Sequence, residues 1–339
     1  MKNTRLHANE NWYNPLPDIK EDLLKRLLNI KLQEYPDSDA VKLKEAIKDY
    51  IGVPQDQLIC TNGSDELIKI IFDAFSKPGD NIVIHSPTFI EYSVMSNIRG
   101  CNLCSVDPKS NLLADVDEII NEAVRTNAAI TFICTPNNPT GHVFSPTDLM
   151  RIIEEVPGLV VVDEAYAEFS QMSLIDTSYD TDKVIVMRTL SKAFGAAAIR
   201  VGYGVASPQR IKAMNKVKMP YNLSAFAQES AIVLLENRHL LENVLRNIRQ
   251  ERMSVYGRLK EIEETTGALE VFPSYGNYIL IRSSADKDIY DALTANGLKI
   301  RKFEHDKNLK QCLRFSITQK QTNTSVVEII RRVVSTTYE

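Results

Sequence analysis

Four short runs of almost unbroken apolar residues constrain this chain most: Asn81-Ile-Val-Ile-His85, Ala129-Ile-Thr-Phe-Ile-Cys134, Leu159-Val-Val-Val-Asp163 and Val184-Ile-Val-Met-Arg188. A strand with one wet face alternates apolar and polar residues, so a strand with hardly any polar position must be covered on both faces. The runs are bounded by Pro, Gly, Asp or Asn, and amphipathic helical stretches such as Ser145 to Glu155 separate them. That alternation predicts an α/β fold with a mostly parallel central sheet and helices on either side.

A chain of 339 residues is long for one small core. From Ser224 to about Glu264 helical periodicity runs with a single Gly, predicting a long helix or a helix pair that leaves the sheet. Beyond it, Leu269-Glu-Val-Phe272, Tyr278-Ile-Leu-Ile-Arg282, Leu298 to Phe303 and Cys312 to Ile317 read as strands around a helical stretch from Asp286 to Ala295. The expected division is a large domain over 30–225 and a smaller α+β domain formed by 1–29 together with 226–339.

Composition removes several function classes. Apolar residues at 44% and charged ones at 25% exclude a disordered or low-complexity chain. A net charge of −4 offers no basic footprint, so no nucleic-acid partner is expected. The five cysteines lack framework spacing, and Cys101-Asn-Leu-Cys104 has neither a second pair nor a nearby His, so no metal site is expected and a reducing, cytoplasmic setting fits. The first residues lack an apolar signal region and no run of about 18 apolar residues occurs, so neither export nor membrane insertion is expected.

In open parallel sheets ligands bind beyond the carboxyl ends of the strands. Here those ends carry Thr135-Pro-Asn-Asn-Pro-Thr-Gly141, Asp163-Glu-Ala-Tyr166 and Arg188-Thr-Leu-Ser-Lys192, which bring an amide, a carboxylate, a phenol and an amine to one edge. Singly, Asp163 reads as a cap and Lys192 as a surface lysine. Together with a phosphate cradle they are what pyridoxal 5'-phosphate (PLP) requires of a protein. Thr61-Asn-Gly-Ser-Asp65 precedes a helical pattern, so the backbone N–H groups of Gly63, Ser64 and Asp65 are candidates for that cradle, with Ser64 as a plain helix cap the alternative. Arg200 could neutralise a phosphate by a bidentate contact, helped by the hydroxyls of Thr189 and Ser191.

The strings Asn137-Asn-Pro-Thr-Gly141, Asp163-Glu-Ala-Tyr166, Arg188-Thr-Leu-Ser-Lys-Ala-Phe-Gly195 and Arg200-Val-Gly-Tyr203 resemble the signature of fold-type I PLP-dependent aminotransferases, and most of all the histidinol-phosphate aminotransferase family. His7-Ala-Asn-Glu-Asn11, Tyr35-Pro-Asp37, Asn62 to Glu66, Ser86-Pro-Thr-Phe89, Asn277-Tyr278 and Leu313-Arg314 align in the same order, so the resemblance covers nearly the whole chain.

The resemblance implies Lys192 as the lysine that carries the cofactor and shuttles the proton, Asp163 as partner of the ring nitrogen, Tyr166 and Asn138 as partners of the ring oxygen, and Phe89 as the stacking ring. Phosphate ligands would be Gly63, Ser64, Asp65, Thr189, Ser191 and Arg200, with Tyr35 supplied by the second subunit of a homodimer. Arg314 would grip the substrate carboxylate, Arg301 a distal anionic group, and Asn9 and Asn138 would line the substrate side.

Departures from the family pattern touch the substrate side. Trp12-Tyr13 replace the usual Pro after Asn11, few residues precede that motif, and Gln319 stands where a Gly is usual. The implied reaction is transamination between L-histidinol phosphate and 2-oxoglutarate. A threonine-phosphate decarboxylase, to which Pro87-Thr-Phe-Ile-Glu-Tyr92 is similar, and an aromatic or specialised-pathway aminotransferase are the alternatives.

Overall fold

The computed structural model describes residues 4–175 and 182–337. Residues 1–3 and 338–339 of the expected small domain and 176–181 of the expected large one lie outside the described residues.

The strands are Thr4–Arg5 (β1), Leu58–Thr61 (β2), Asn81–His85 (β3), Asn102–Val106 (β4), Ile130–Cys134 (β5), Leu159–Asp163 (β6), Val184–Thr189 (β7), Gly202–Val205 (β8), Glu270–Val271 (β9), Tyr278–Arg282 (β10), Leu298–Lys299 (β11), Arg301–Lys302 (β12) and Cys312–Ser316 (β13). Seven of them form one sheet in the order β2-β8-β7-β6-β5-β3-β4. Neighbours are parallel except at β8, which runs antiparallel to both β7 and β2.

All four apolar runs are interior strands of this sheet, buried on both faces. Phe132, Val161, Ile185 and Met187 pack on one side against Leu67, Ile68, Phe72, Ile211 and Met214 of the helices Gly63–Phe75 and Pro208–Val217. Ile133, Val160, Val162 and Val186 face the other side, where Leu43, Ile119, Leu149 and Ile152 of three further helices cover them.

Three strands of the sheet carry no comparable apolar run. β4 is an edge strand with most residues exposed or partly so. β2 is short, and β8 reads Gly-Tyr-Gly-Val. A Cβ on Gly202 would stand 2.6 Å from the Gly63 carbonyl carbon, so glycine there allows the helix Gly63–Phe75 to start directly against β8.

The helical stretch after Ser224 is a pair, Ala225–Glu236 and His239–Thr266, broken at Asn237-Arg238. It leads into a four-stranded antiparallel sheet, β12-β13-β10-β9, backed by the helices Asp286–Ala295 and Lys320–Thr337. β1 pairs with β11, which ties the amino terminus to this second unit. None of the helices among the described residues is long and apolar enough to cross a membrane.

Side-chain alternation gives the ends of β6 and β7 two chemically distinct faces. Asp163 and Thr189 follow Val161 and Met187 on one face, while Glu164 and Arg188 project to the other. There the buried Arg188 guanidinium donates to Glu164 Oε2 at 2.8 Å, Glu168 Oε1 at 2.9 Å and Ser173 Oγ at 2.7 Å. Removing the cation leaves two buried carboxylates close together with neutral donors, Ser173 Oγ and Leu174 N–H on Glu164 and Tyr50 Oη on Glu168, and without a counter-charge. Arg188→Met is therefore expected to cost about 3–5 kcal/mol of stability, measured as a drop in the urea midpoint of the purified protein; a loss under about 1 kcal/mol would show that the cluster is dispensable.

Candidate active site

Most of the predicted residues converge at the carboxyl edge of the large sheet. The helix Gly63–Phe75 begins at Gly63, with Asn62 at its cap and without a side-chain capping bond. Ser64 is therefore inside the first turn, which excludes the reading of Ser64 as the cap. The N–H groups of Gly63, Ser64 and Asp65 belong to the turn that has no helical acceptors, and so are free to meet an anion.

Arg200 reaches over this turn. Its Nη2 pairs with Asp65 Oδ2 at 3.1 Å and its Nη1 donates to Ser191 Oγ at 3.3 Å. A Cβ on Gly63 would stand 2.4 Å from Arg200 Nη2, so glycine is what allows the guanidinium to close over the helix start. Thr189 Oγ1 donates to the Val201 carbonyl and accepts from Ser191 N–H. Backbone donors, a guanidinium and two hydroxyls therefore surround one point, which fits a phosphate dianion.

Asp163 ends β6 and is 3% exposed. Tyr92 Oη donates to its Oδ2 at 2.6 Å and Ala165 N–H to its Oδ1 at 3.0 Å. Burial pushes this carboxyl upward, and the two hydrogen bonds pull it partly back. No cation pairs with it among the described residues. A buried carboxylate held only by neutral donors fits a cationic ring N–H brought by a ligand.

Lys192 is half-buried, its Nζ 3.1 Å from the Ala8 carbonyl and 5.6 Å from the centre of the Tyr166 ring. Tyr166 is buried and its hydroxyl accepts from Asn9 Nδ2 at 3.0 Å. Phe89 stands edge-on to Tyr92 at 5.7 Å.

Arg314 projects from β13 and is 6% exposed. Nη1 donates to Asn138 Oδ1 and Nη2 to the His7 carbonyl at 2.6 Å, while Nε is buried without a partner. Desolvation pushes this guanidinium downward, the effect of a cation with only neutral oxygens around it. Arg301 of β12 pairs directly across from Arg314, but its side chain is exposed. The Phe303 ring lies 5.9 Å from both guanidinium carbons.

Tyr35 is not brought to this cluster. It is 81% exposed and stacks on Tyr221 at 4.6 Å. The residues that sequence reasoning assigned no role are Tyr92 and Tyr278. Tyr278 is fully buried, donates to the Asn137 carbonyl at 2.5 Å, meets the Tyr166 ring at 5.2 Å and underlies Arg314 at 5.4 Å. Both had a signal: each is a tyrosine inside a quoted motif, and a buried phenol needs a partner for its hydroxyl.

Fold and site together define a transferase of the PLP-dependent, fold-type I class. The sequence profile of the family described as "Aminotransferase class I and II" matches residues 2–330, and the chain belongs to that family. Its cofactor is pyridoxal 5'-phosphate. A protein of Caldanaerobacter subterraneus subsp. tengcongensis named histidinol-phosphate aminotransferase is 33% identical over 331 residues, 98% of this chain and 93% of its own. The solved histidinol-phosphate aminotransferase of Sinorhizobium meliloti in complex with pyridoxal-5'-phosphate superposes with a TM-score of 0.87 at 23% identity, covering 99% of this chain and 92% of that one. L-threonine-O-3-phosphate decarboxylase of Porphyromonas gingivalis shares the fold at a TM-score of 0.83 and 20% identity, covering 98% and 99%.

The state of Asp163 gives a signed prediction for the apoprotein. A carboxyl raised in the folded state costs stability above its unfolded value near 3.9 and costs nothing below it. Asp163→Asn should thus stabilise the cofactor-free protein at pH 7 by about 1 kcal/mol, roughly 2 °C in thermal midpoint, with the gap closing toward pH 4. Thermal scans of both apoproteins at the two pH values decide it. An apoprotein destabilised by the substitution at pH 7 would mean that the carboxylate already has its counter-charge.

Proposed function

We propose that the protein is a homodimeric, cytoplasmic aminotransferase that exchanges the amino group of L-histidinol phosphate with 2-oxoglutarate. The observation that carries the substrate reading is the pairing of Arg301 directly opposite Arg314 at the site edge. One guanidinium suits the α-carboxylate of glutamate or 2-oxoglutarate. Two suit the dianionic phosphate that histidinol phosphate carries in place of that carboxylate. The name carried by the relative that is 33% identical over almost the whole chain supports the same choice.

When bound, the cofactor supplies an electrophilic aldehyde and a protonated ring that spreads the electron pair left when a Cα–H bond breaks. The chain's own residues do the rest. Lys192 Nζ would be the group that accepts the proton from the substrate Cα and gives it back, with the cofactor held beside it by the residues that follow. Asp163 keeps the ring nitrogen protonated, Tyr166 and Asn138 hold the ring oxygen, and Phe89 covers the ring face. Gly63, Ser64, Asp65, Thr189, Ser191 and Arg200 anchor the phosphate. Arg314 orients the substrate so that its Cα–H faces the lysine, and Asn9 fixes the Tyr166 hydroxyl that flanks it.

The domain division proposed is the large unit over 30–225 and the small one over 1–29 and 226–339. The pairing of β1 with β11 supports assigning the amino terminus to the small unit. A cytoplasmic setting is supported by cysteines that are all free. The dimer is supported by the apolar face around Leu24, Leu28, Leu32, Tyr35 and Phe226, each about half exposed or more.

Amino-group transfer from histidinol phosphate, phenylalanine, tyrosine and threonine phosphate, with carbon dioxide followed in parallel, tests the reaction. Transfer from histidinol phosphate without carbon dioxide is expected; release from threonine phosphate would select the decarboxylase. Arg301→Ala should lower kcat/KM for histidinol phosphate at least about tenfold more than for phenylalanine, one charge-assisted hydrogen bond. Equal losses would remove the phosphate assignment.

For the dimer, mixing Tyr35→Phe with Lys192→Ala should yield hybrids in which one site escapes both changes, and activity should rise above that of either parent. A mixture no more active than its parents, with a monomer in sedimentation, would overturn it.

A further inference from the structure

Tyr92 is a fully buried side chain that touches both Asp163 and Phe89. It lies in the first turn of the helix Glu91–Ile98 and is 0% exposed. Its hydroxyl donates to Asp163 Oδ2 at 2.6 Å, one of the two hydrogen bonds that carboxylate receives among the described residues, the other from Ala165 N–H. Its ring stands edge-on to Phe89 at 5.7 Å and 85°. Behind it, Phe132 stacks on the same ring at 4.6 Å and 15°, and Phe72 stacks on Phe132 at 5.5 Å. Phe132 of a strand, backed by Phe72 of a second helix, and Phe89 at the edge thus fix the Tyr92 phenol in one orientation.

We propose that Tyr92 is a positioning residue for the cofactor: its phenol holds the Asp163 carboxylate ionised and aimed at the ring nitrogen, while its ring edge sets Phe89 against the ring face. This rests on the reading that Asp163 partners the ring nitrogen. The geometry divides the two tasks between separable parts of one side chain. The hydroxyl serves Asp163, and the aromatic body serves Phe89.

The titratable groups in contact with or acting on Asp163 are Tyr92 and Cys134 of β5 beside it and, through charge alone, the carboxylates of Asp65 and of Glu164 on the other face of the sheet. Burial keeps the phenol and the thiol protonated. Of these groups only Tyr92 donates to the carboxylate, and its hydrogen bond opposes the upward push of burial. Losing that bond therefore makes Asp163 take up its proton at a higher pH.

The probe is pyridoxine 5'-phosphate, which lacks the aldehyde and so cannot bond to Lys192. Its affinity for the apoprotein is measured by fluorescence titration from about pH 5 to pH 8 for the parent, Tyr92→Phe, Tyr92→Leu and Asp163→Asn. Affinity should fall on the acid side as Asp163 is neutralised. Tyr92→Phe should move that limb up by about one pH unit, the worth of one hydrogen bond to a charged group, and leave the plateau near neutrality within about twofold. Tyr92→Leu should also lower the plateau several-fold, because Phe89 loses its support. Asp163→Asn should abolish the limb attributed to that carboxylate. A Tyr92→Phe profile with an unmoved limb, whether lowered uniformly or superposed on the parent, would overturn the proposal while Asp163→Asn still altered the profile. An Asp163→Asn profile identical to the parent would instead overturn the assignment of the ring-nitrogen partner.

Discussion

A fully buried carboxylate that meets no cation among the described residues is the constraint on which the rest of this site depends. Asp163 sits at the end of a strand whose every residue is buried, and it is held by one phenol and one backbone N–H. Such a group is unfavourable in the apoprotein and becomes favourable only when a positive charge arrives. Everything around it serves that arrival. Tyr92 and Phe132 close one side without adding charge, and the free N–H groups at the helix start, Gly63 to Asp65, stand ready for an anion beyond it.

The same strand ends carry an opposite solution on their other face. Arg188 and Glu164, one residue along from Asp163 and Thr189, form a buried ion pair that is complete without any ligand. Side-chain alternation separates the two by the thickness of the sheet. The satisfied face holds β6 and β7 in register, and the unsatisfied face is thereby kept in place for chemistry. A parallel sheet buried on both sides leaves polar groups nowhere but its strand ends, so these residues are where a site can form.

Most of this was readable in the chain because the interior strands write an unbroken apolar pattern and the polar motifs follow them directly. The order of the sheet was not. β8 is hidden by its two glycines, which are present for the approach of the helix at Gly63 rather than for packing of their own. β4 lies at the edge and shows no buried alternation. In the site, Lys192, Asp163 and Arg200 could be named from residue type and position, and Arg314 from the family resemblance. Tyr92 and Tyr278 could not be assigned tasks, because an aromatic in an apolar stretch reads as core until its hydroxyl partner is located in space. Tyr35 is visible as a motif and still stands outside this chain's own cluster, which follows if its partner atoms belong to another subunit.

The amino-terminal segment shows why backbone contributions escape a residue-by-residue reading. Asn9 adopts a left-handed conformation at φ 53°, where asparagine is tolerated better than most residues. The turn presents the carbonyl of His7 to Arg314, the carbonyl of Ala8 to Lys192 and the Asn9 amide to Tyr166. Asn277 Nδ2 in turn donates to the Asn9 carbonyl, and Asn11 Nδ2 to Ala193. One short strap therefore touches Arg314, Lys192 and Tyr166 at once. The departure at Trp12-Tyr13 begins after these contacts. Its own constraint lies at Gly195, where a Cβ would stand 2.4 Å from the Tyr13 carbonyl. The residues that stand where the family's proline is usual therefore leave these contacts in place, and Trp12 among them is exposed.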